Sequence, residues 1–169
     1  MRRILAVLVM LATLPSGSFA TELLSGFVGA WVGEGTVRPS GFDAPQKIRC
    51  KVEGKRTSPL QISFAGRCAT TSGAGALGLL IATNKSGKNY AAKVLLSPSD
   101  AEVDFSGKNV GRTITLTQRE PIRNRGRLLT SVITLTLEND GMIGFINQVT
   151  DIEKNQQQQA LEVIFRRLP

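Results

Sequence analysis

The sequence predicts a small all-β domain of antiparallel strands, arranged either as a sandwich or as a closed barrel. Apolar residues recur with a period of two from about Trp31 to the end of the chain, which is typical of half-buried strands. Groups of turn-forming residues separate these segments at short intervals, and no stretch has the 3.6-residue period of a long helix. The segments number about nine or ten, and such a series of short strands indicates a sandwich or barrel.

Each predicted strand is identified by apolar residues at alternate positions. Lys47, Arg49 and Lys51 alternate with apolar residues, and the segment 113–117 alternates strictly between threonine and aliphatic residues. In chain order the predicted strands are 31–37, 47–53, 60–68, 90–96, 101–105, 113–117, 133–137, 142–150 and 160–167. The predicted turns between them are Pro39-Ser40-Gly41, Ser58-Pro59, Ser86-Gly87, Pro98-Ser99-Asp100, Ser106-Gly107 and Asp140-Gly141.

Three short segments are less regular. Residues 74–82 are apolar in both phases, which fits a strand covered on both faces or a short helix. Recurring glycine and the neighbouring strand favour the strand. Residues 156–159 are four glutamines, which form either a polar loop or the start of the last strand. Residues 21–26 are compatible with one helical turn before the first strand.

Composition excludes several classes of site. The chain has 169 residues, with 21 Lys and Arg against 13 Asp and Glu and a net charge of +8. This length suits one domain, which can bury about 70% of its unfolded surface without a structural metal. Histidine is absent, which excludes a Ser-His-Asp triad, a Cys-His pair and most zinc sites. We therefore expect neither catalysis nor a cofactor.

Residues 1–20 have the three-part pattern of a secretory signal peptide. Two arginines follow the initiating methionine, an apolar run comes next, and small residues at Ser18 and Ala20 precede a cleavage site. The apolar run is too short to span a bilayer as a helix. We expect a mature domain of residues 21–169 that is exported, most simply to a bacterial periplasm, and does not span the membrane.

The two cysteines of the chain predict one disulfide. Cys50 shares the apolar phase of Ile48 and Val52, and Cys68 shares that of Phe64. Neighbouring antiparallel strands would place both sulfur atoms on one face, and an oxidising compartment favours pairing. A redox pair would instead need the close spacing of a C-x-x-C motif. A structural bridge here would contribute about 3 kcal/mol on the chain-entropy account.

The two ends of the domain resemble the calycin signature, as found in lipocalins. Gly29 and Trp31 form a Gly-x-Trp motif in the first strand, and the last strand ends in Arg166 and Arg167. The resemblance implies a small, closed, up-and-down barrel of eight to ten strands. It also implies that a basic residue of the last strand lies across the indole. That residue would be Arg167 by the phase of Phe165, or Arg166 if a bulge intervenes.

The chain also resembles small periplasmic inhibitors of secreted metalloproteases. Trp31 in the first strand and Cys50 and Cys68 in succeeding strands match the arrangement of those calycin-like barrels. The resemblance implies an N-terminal segment that enters a protease cleft, and the matching stretch here is Thr21–Gly26.

Acidic residues form one row that could bind a cation. Asp100, Glu102 and Asp104 are two residues apart, which places them on one face of an extended segment. Such a row could bind calcium. The apolar opposite phase, Val103 and Phe105, favours a solvated strand face over a cation site.

Four arginines form the strongest local charge. Arg119, Arg123, Arg125 and Arg127 lie between two predicted strands, in a long basic hairpin loop. The loop is a candidate site for an anionic ligand, a lipid headgroup or an acidic partner. Without neighbouring aromatic residues it is not a nucleic-acid signal.

These observations predict an exported, monomeric binding protein. A small apolar ligand could occupy the barrel, lined by inward residues Ile62, Phe64, Val94, Leu96, Ile114, Leu116, Leu135 and Phe145, or these residues could simply fill it. An anionic ligand is the second possibility for a binding protein. The alternative is a protein-interaction or inhibitor module of the bacterial envelope.

Overall fold

The chain folds into a closed antiparallel β-barrel that begins with a short helix. The computed structural model describes residues 19–96, 101–138 and 141–169. The predicted leader lies outside these residues except for Phe19 and Ala20, as do the predicted turn at 98–100 and Asp140. The elements are α1 (Phe19–Ser25), β1 (Gly29–Val37), β2 (Gln46–Ser58), β3 (Gln61–Thr70), β4 (Gly73–Thr83), β5 (Asn89–Leu96), β6 (Ala101–Val110), β7 (Thr113–Gln118), β8 (Ile122–Asn124), β9 (Arg127–Leu137), β10 (Ile143–Asp151) and β11 (Gln156–Arg167).

Ten of these strands close the barrel. Consecutive strands pair with each other except at β8, where β7 pairs directly with β9, and β11 returns to pair with β1. The prediction of a closed, all-β, antiparallel barrel with eight to ten strands is confirmed. Among the described residues, β8 alone stands outside the ring, because it pairs only with β9 and continues the line of β7.

The predicted strands are present, and several extend further than predicted. Residues 74–82 form most of β4, and the glutamines 156–159 begin β11. One predicted turn is wrong, because Ser106 and Gly107 lie inside β6. Glycine is required there by close strand packing, since a Cβ atom on Gly107 would lie 1.9 Å from the carbonyl oxygen of Thr115.

Inward side chains fill the barrel between its walls. Phe64 of β3 and Phe165 of β11 meet edge to face, with ring centroids 5.4 Å apart. Trp31, Ile114 and Leu116 are completely buried in the same continuous cluster. This geometry follows from the period of two in each strand, which sends alternate side chains to the interior.

Helix α1 closes one end of the barrel. Leu24 of the helix is 0% exposed, and Leu23 and Phe27 are also buried in the main core. The indole nitrogen of Trp31 donates a hydrogen bond of 3.1 Å to the carbonyl of Phe27. Together these residues define the closed end. Among the described residues, no helix has the length and apolar character needed to cross a bilayer.

The predicted disulfide is confirmed. Cys50 of β2 and Cys68 of β3 are directly paired residues, and their Cα atoms are 4.0 Å apart. The bridge therefore joins two strands that are already neighbours in the barrel wall.

Candidate functional site

The Gly-x-Trp motif and the last strand meet at the closed end. The Arg167 guanidinium lies 4.3 Å from the centre of the Trp31 ring. It also donates hydrogen bonds to the carbonyl oxygens of Val28 (2.6 Å) and Gly26 (3.2 Å). A Cβ atom on Gly29 would lie 2.3 Å from this guanidinium. The motif therefore holds the helix, the first strand and the last strand together.

The arginine-rich segment forms a tight hairpin at the opposite end of the barrel, which we call the far end. Ile122–Asn124 pairs with the start of β9, and the turn between them has positive φ at Arg125 (48°) and Gly126 (77°). Three of the arginines face carboxylates of neighbouring elements, two in loops and one at the end of β10. These pairs are Arg123 with Glu153 at 3.0 Å, Arg125 with Asp43 at 3.9 Å, and Arg127 with Asp151 at 3.6 Å.

The far end is held together by these contacts. Asp151 is fully buried, and Arg127 also stacks 4.6 Å from the centre of the Phe42 ring. Phe42 packs on a second, smaller cluster of Leu129, Val149 and Ala160. The hairpin arginines therefore join the loop after β1 to the rest of the barrel, and much of their charge is neutralised by nearby acids.

The surroundings of Asp43 favour the ionised carboxylate that pairs with Arg125. Hydrogen bonding to Ser40, with a smaller contribution from the charges of Arg125 and Arg127, holds the pKa of Asp43 below its usual value. Arg38 donates a hydrogen bond of 2.7 Å to the Asp43 carbonyl. The loop is thus organised around one ionised carboxylate.

Arg119 contacts different residues from the other three arginines. Its backbone N–H donates to the carbonyl of Asp104 at 2.9 Å. Its side chain lines a shallow surface cavity of about 640 Å³ together with Lys108 and Thr117.

The acidic row faces a lysine. Lys93 of β5 lies 2.8 Å from Glu102 and 3.9 Å from Asp104. The hydrogen bond to Glu102 and the charge of Asp104 raise the pKa of Lys93. Asp100 lies outside the described residues, and within them no group of three metal-ligating side chains occurs. The arrangement is that of a solvated strand face with its own counter-ion.

The inward residues that were candidates for a ligand cavity belong to the main core. Ile62, Phe64, Val94, Ile114, Leu116, Leu135 and Phe145 are all buried in one cluster. The side chain of Leu96 lies outside the described part of the chain. These residues pack against one another, which is the second of the two possibilities that the sequence left open.

The N-terminal segment is also committed to the core. Leu23 and Leu24 are 8% and 0% exposed. A segment that enters the cleft of another protein would first have to leave this position, at the cost of opening the closed end.

A further surface cavity lies on the outer face of the barrel, and it was not predicted from the sequence. This outer groove has a volume of about 840 Å³ and crosses β11, β1, β2, β3 and the start of β4. Its cationic residues are Arg49, Lys51, Arg67 and Arg166, and its apolar residues are Val32, Ala69, Ala74 and Ile164.

The strand register aligns three of these cations. Val32 of β1 pairs with Arg166 on one side and with Lys51 on the other, and Lys51 pairs with Arg67. Arg166, Lys51 and Arg67 are exposed and form no ion pair among the residues that the structure describes. The groove has one acid, Glu34, which is 3.2 Å from Arg49 and is therefore neutralised.

Inward glycines shape the wall beneath the outer groove. A Cβ atom on Gly33 would lie 2.5 Å from the Phe165 ring, and one on Gly66 would lie 2.0 Å from the carbonyl oxygen of Lys51. Without inward side chains at these positions, the strands approach the core closely. We attribute the depression on the outer face to this close approach.

Only part of the outer groove was predictable from the sequence. The outward phase of Arg49 and Lys51 is readable from the alternation of β2. The positions of Arg67 and Arg166 beside them depend on pairing between strands that are distant in sequence.

No protein-family model matches the chain, and no curated protein matches it significantly. The barrel is consistent with a calycin-like architecture.

Proposed function

We propose that the protein is an exported, non-catalytic binding protein of calycin-like type that holds an anionic ligand in the outer groove. The observation that carries the proposal is the row formed by Arg166, Lys51 and Arg67. Like charges on directly opposed strand residues destabilise a sheet. A bound anion would remove this repulsion and would be held by charge-assisted hydrogen bonds.

The outer groove supports this function better than the other two candidate sites. The barrel interior is occupied by packed side chains such as Phe64 and Phe165. The far-end arginines are engaged by acids of the same chain, including Asp43 and Asp151. Arg166, Lys51 and Arg67 form no ion pair with the residues that the structure describes, and apolar residues of the groove lie beside them.

Export to the periplasm is part of the proposal. The leader-like residues 1–20 and the Cys50–Cys68 bridge support it, because disulfides persist in oxidising compartments. Membership of the calycin group is supported by the Arg167 contact with Trp31 and by the closed barrel.

The test is a calorimetric titration of the purified exported protein with three anions. The probes are inorganic pyrophosphate, a hexaglutamate peptide and dodecyl phosphate below its micelle concentration. We expect at least one probe to bind, with an affinity that falls as salt increases. The double variant Lys51→Gln with Arg67→Gln should weaken binding by about 10- to 100-fold, through loss of two charged contacts.

A matched control separates the groove from net charge. Lys85 and Lys88 are exposed in the turn after β4 and do not line the groove. Changing both to Gln removes the same two charges and should leave the affinity within about twofold, because screening weakens distant charges. Equal loss in both double variants, or no binding of any probe, would overturn the proposed function.

A further inference from the structure

We propose that the ligand of the outer groove is a single-chain amphiphile with a compact anionic head, a phosphate or a carboxylate. This inference rests on the proposed function and specifies its ligand. It follows from two features that occur together in the groove: a cluster of cations and an exposed apolar surface beside it.

The head would be bound by Lys51 and Arg67. These residues are cross-strand partners, so their side chains leave the wall about 5 Å apart and can converge on one anion. The guanidinium can contact two oxygen atoms of a phosphate or carboxylate at once, while the ammonium supplies a point charge. Arg166, two strands away in the same row, adds attraction at longer range.

The apolar chain would lie across Val32 and Ile164. Val32 stands between Lys51 and Arg166 in the row of cations, and Ile164 lies in the adjoining row on β11. Ile164 is 42% exposed, so its side chain is open to an apolar ligand. A hydrocarbon chain leaving the head would cover both residues, whereas water leaves them exposed.

An acidic peptide fits the same surface less well. Alternate side chains of an extended peptide are about 7 Å apart along one face. The cations of the groove instead form a close pair, Lys51 and Arg67, with Arg166 about 10 Å from Lys51 on the spacing of neighbouring strands. The apolar residues would contribute nothing to a uniformly acidic chain.

The test compares alkyl phosphates of six, eight, ten and twelve carbons, all below their micelle concentrations. Complete burial of a methylene group raises affinity about fourfold, and a half-open groove should give about twofold per carbon. Dodecyl phosphate should therefore bind about 16-fold more tightly than octyl phosphate. Lauric acid in place of dodecyl phosphate distinguishes a carboxylate head from a phosphate head.

A pair of variants tests the position of the chain. Ile164→Thr should reduce the dependence of affinity on chain length while leaving the binding of inorganic phosphate unchanged. Val110→Thr is the control, because Val110 is 85% exposed and does not line the groove. Thermal unfolding of both variants checks that the barrel remains intact.

The outcomes separate the two proposals. Equal affinities for octyl and dodecyl phosphate, or tighter binding of hexaglutamate than of dodecyl phosphate, would overturn the amphiphile while leaving an anion-binding groove. Binding of dodecyl maltoside, a neutral amphiphile, as tightly as dodecyl phosphate would show that the head need not be anionic. That result would overturn the proposed anionic ligand. Unchanged binding in the Lys51→Gln and Arg67→Gln double variant would overturn both proposals.

Discussion

Arg167 contacts residues of the closed end that are distant from it in sequence. It stacks on Trp31 and donates to the carbonyls of Val28 and Gly26. These carbonyls belong to the segment between α1 and β1, while the last carbonyls of the helix accept from the backbone N–H groups of residues 26–28. One side chain therefore holds this connecting segment and covers the indole.

Replacing Arg167 should destabilise the barrel. Arg167→Gln removes the cation–π contact and two charged hydrogen bonds, so we expect a loss of about 2–4 kcal/mol in unfolding free energy. Urea denaturation measures this loss. Arg166→Gln is the control, because Arg166 is exposed on the opposite face, and it should change stability by less than about 0.5 kcal/mol. Equal losses in the two variants would contradict the role given to Arg167.

Asp43 should give the far end a characteristic response to acid. Its folded pKa is lowered from 3.8, mainly by hydrogen bonding to Ser40. A lowered folded pKa contributes stability above the unfolded value, and this contribution is lost as pH falls through the folded pKa. Between about pH 4 and pH 2 the wild type should lose more stability than Asp43→Asn does. Denaturant titrations across this range measure the difference, and parallel losses would show that Asp43 is not engaged.

At the scale of the elements, α1 and the far-end hairpin have different relations to the barrel. The helix inserts Leu23 and Leu24 into the main core, so it is a structural part of the closed end. Strand β8 and the turn after it instead contact their neighbours through the exposed pairs Arg123–Glu153 and Arg125–Asp43, and Ile122–Asn124 is exposed along its length. Exposed ion pairs contribute little stability, so we expect β8 and its turn to open before the helix leaves the core.

The role of α1 can be tested by shortening one side chain. Leu24→Ala creates a cavity at the closed end and should cost about 2–5 kcal/mol of unfolding free energy. Glu22→Ala changes an exposed residue of the same helix and should cost less than about 0.5 kcal/mol. Chemical denaturation of the two variants measures this difference. A neutral effect of Leu24→Ala would show instead that the segment is free, as the resemblance to protease inhibitors implies.

The elements were largely predictable because their signal is local. Strict alternation in 113–117 and the glycine-rich apolar run 74–82 indicated strands that the structure contains. The three-residue strand β8 was not predicted, because all its residues are exposed and carry no periodic pattern. Ser106 and Gly107 were misread as a turn, because the same residues serve turns and close strand packing.

The outer groove could not be predicted in the same way. It depends on the register that places Arg67 and Arg166 in line with Lys51, and on the inward approach of the wall at Gly33. Register is set by the whole set of strand pairings in the barrel and not by any one segment. Only the outward phases of Arg49, Lys51 and Arg67 could be read from the chain.

At the scale of the whole molecule, charge is distributed unevenly around the barrel. The outer face of β11, β1, β2 and β3 carries the cations of the groove. The outer face of β7 and β9 carries threonines, and the hydroxyl groups of Thr113 and Thr136 are 3.2 Å apart across the strands. The groove lining holds four cations and one acid, and this local excess of positive charge would guide anions to the groove and increase their association rate at low salt.

The disulfide should strengthen the barrel without being needed to form it. Cys50 and Cys68 are adjacent in a sheet whose closure also depends on the other strand pairs. The double variant Cys50→Ala with Cys68→Ala should lose about 3 kcal/mol of unfolding free energy but retain the circular dichroism spectrum of the barrel. Loss of the β spectrum at ambient temperature would show that closure requires the bridge.

We propose that the ligand site lies on the outside of the barrel, and changes in amide chemical shifts on ligand binding test this position. The ¹⁵N-labelled protein is titrated with dodecyl phosphate below its micelle concentration, and each amide is followed by NMR. We expect saturable shifts concentrated at residues 32–34, 49–51, 67–69 and 164–166, and the Lys51→Gln and Arg67→Gln double variant should need about 10- to 100-fold more ligand to reach the same shifts. Shifts concentrated at inward residues such as Phe64 and Leu135, or at the hairpin 123–127, would contradict it.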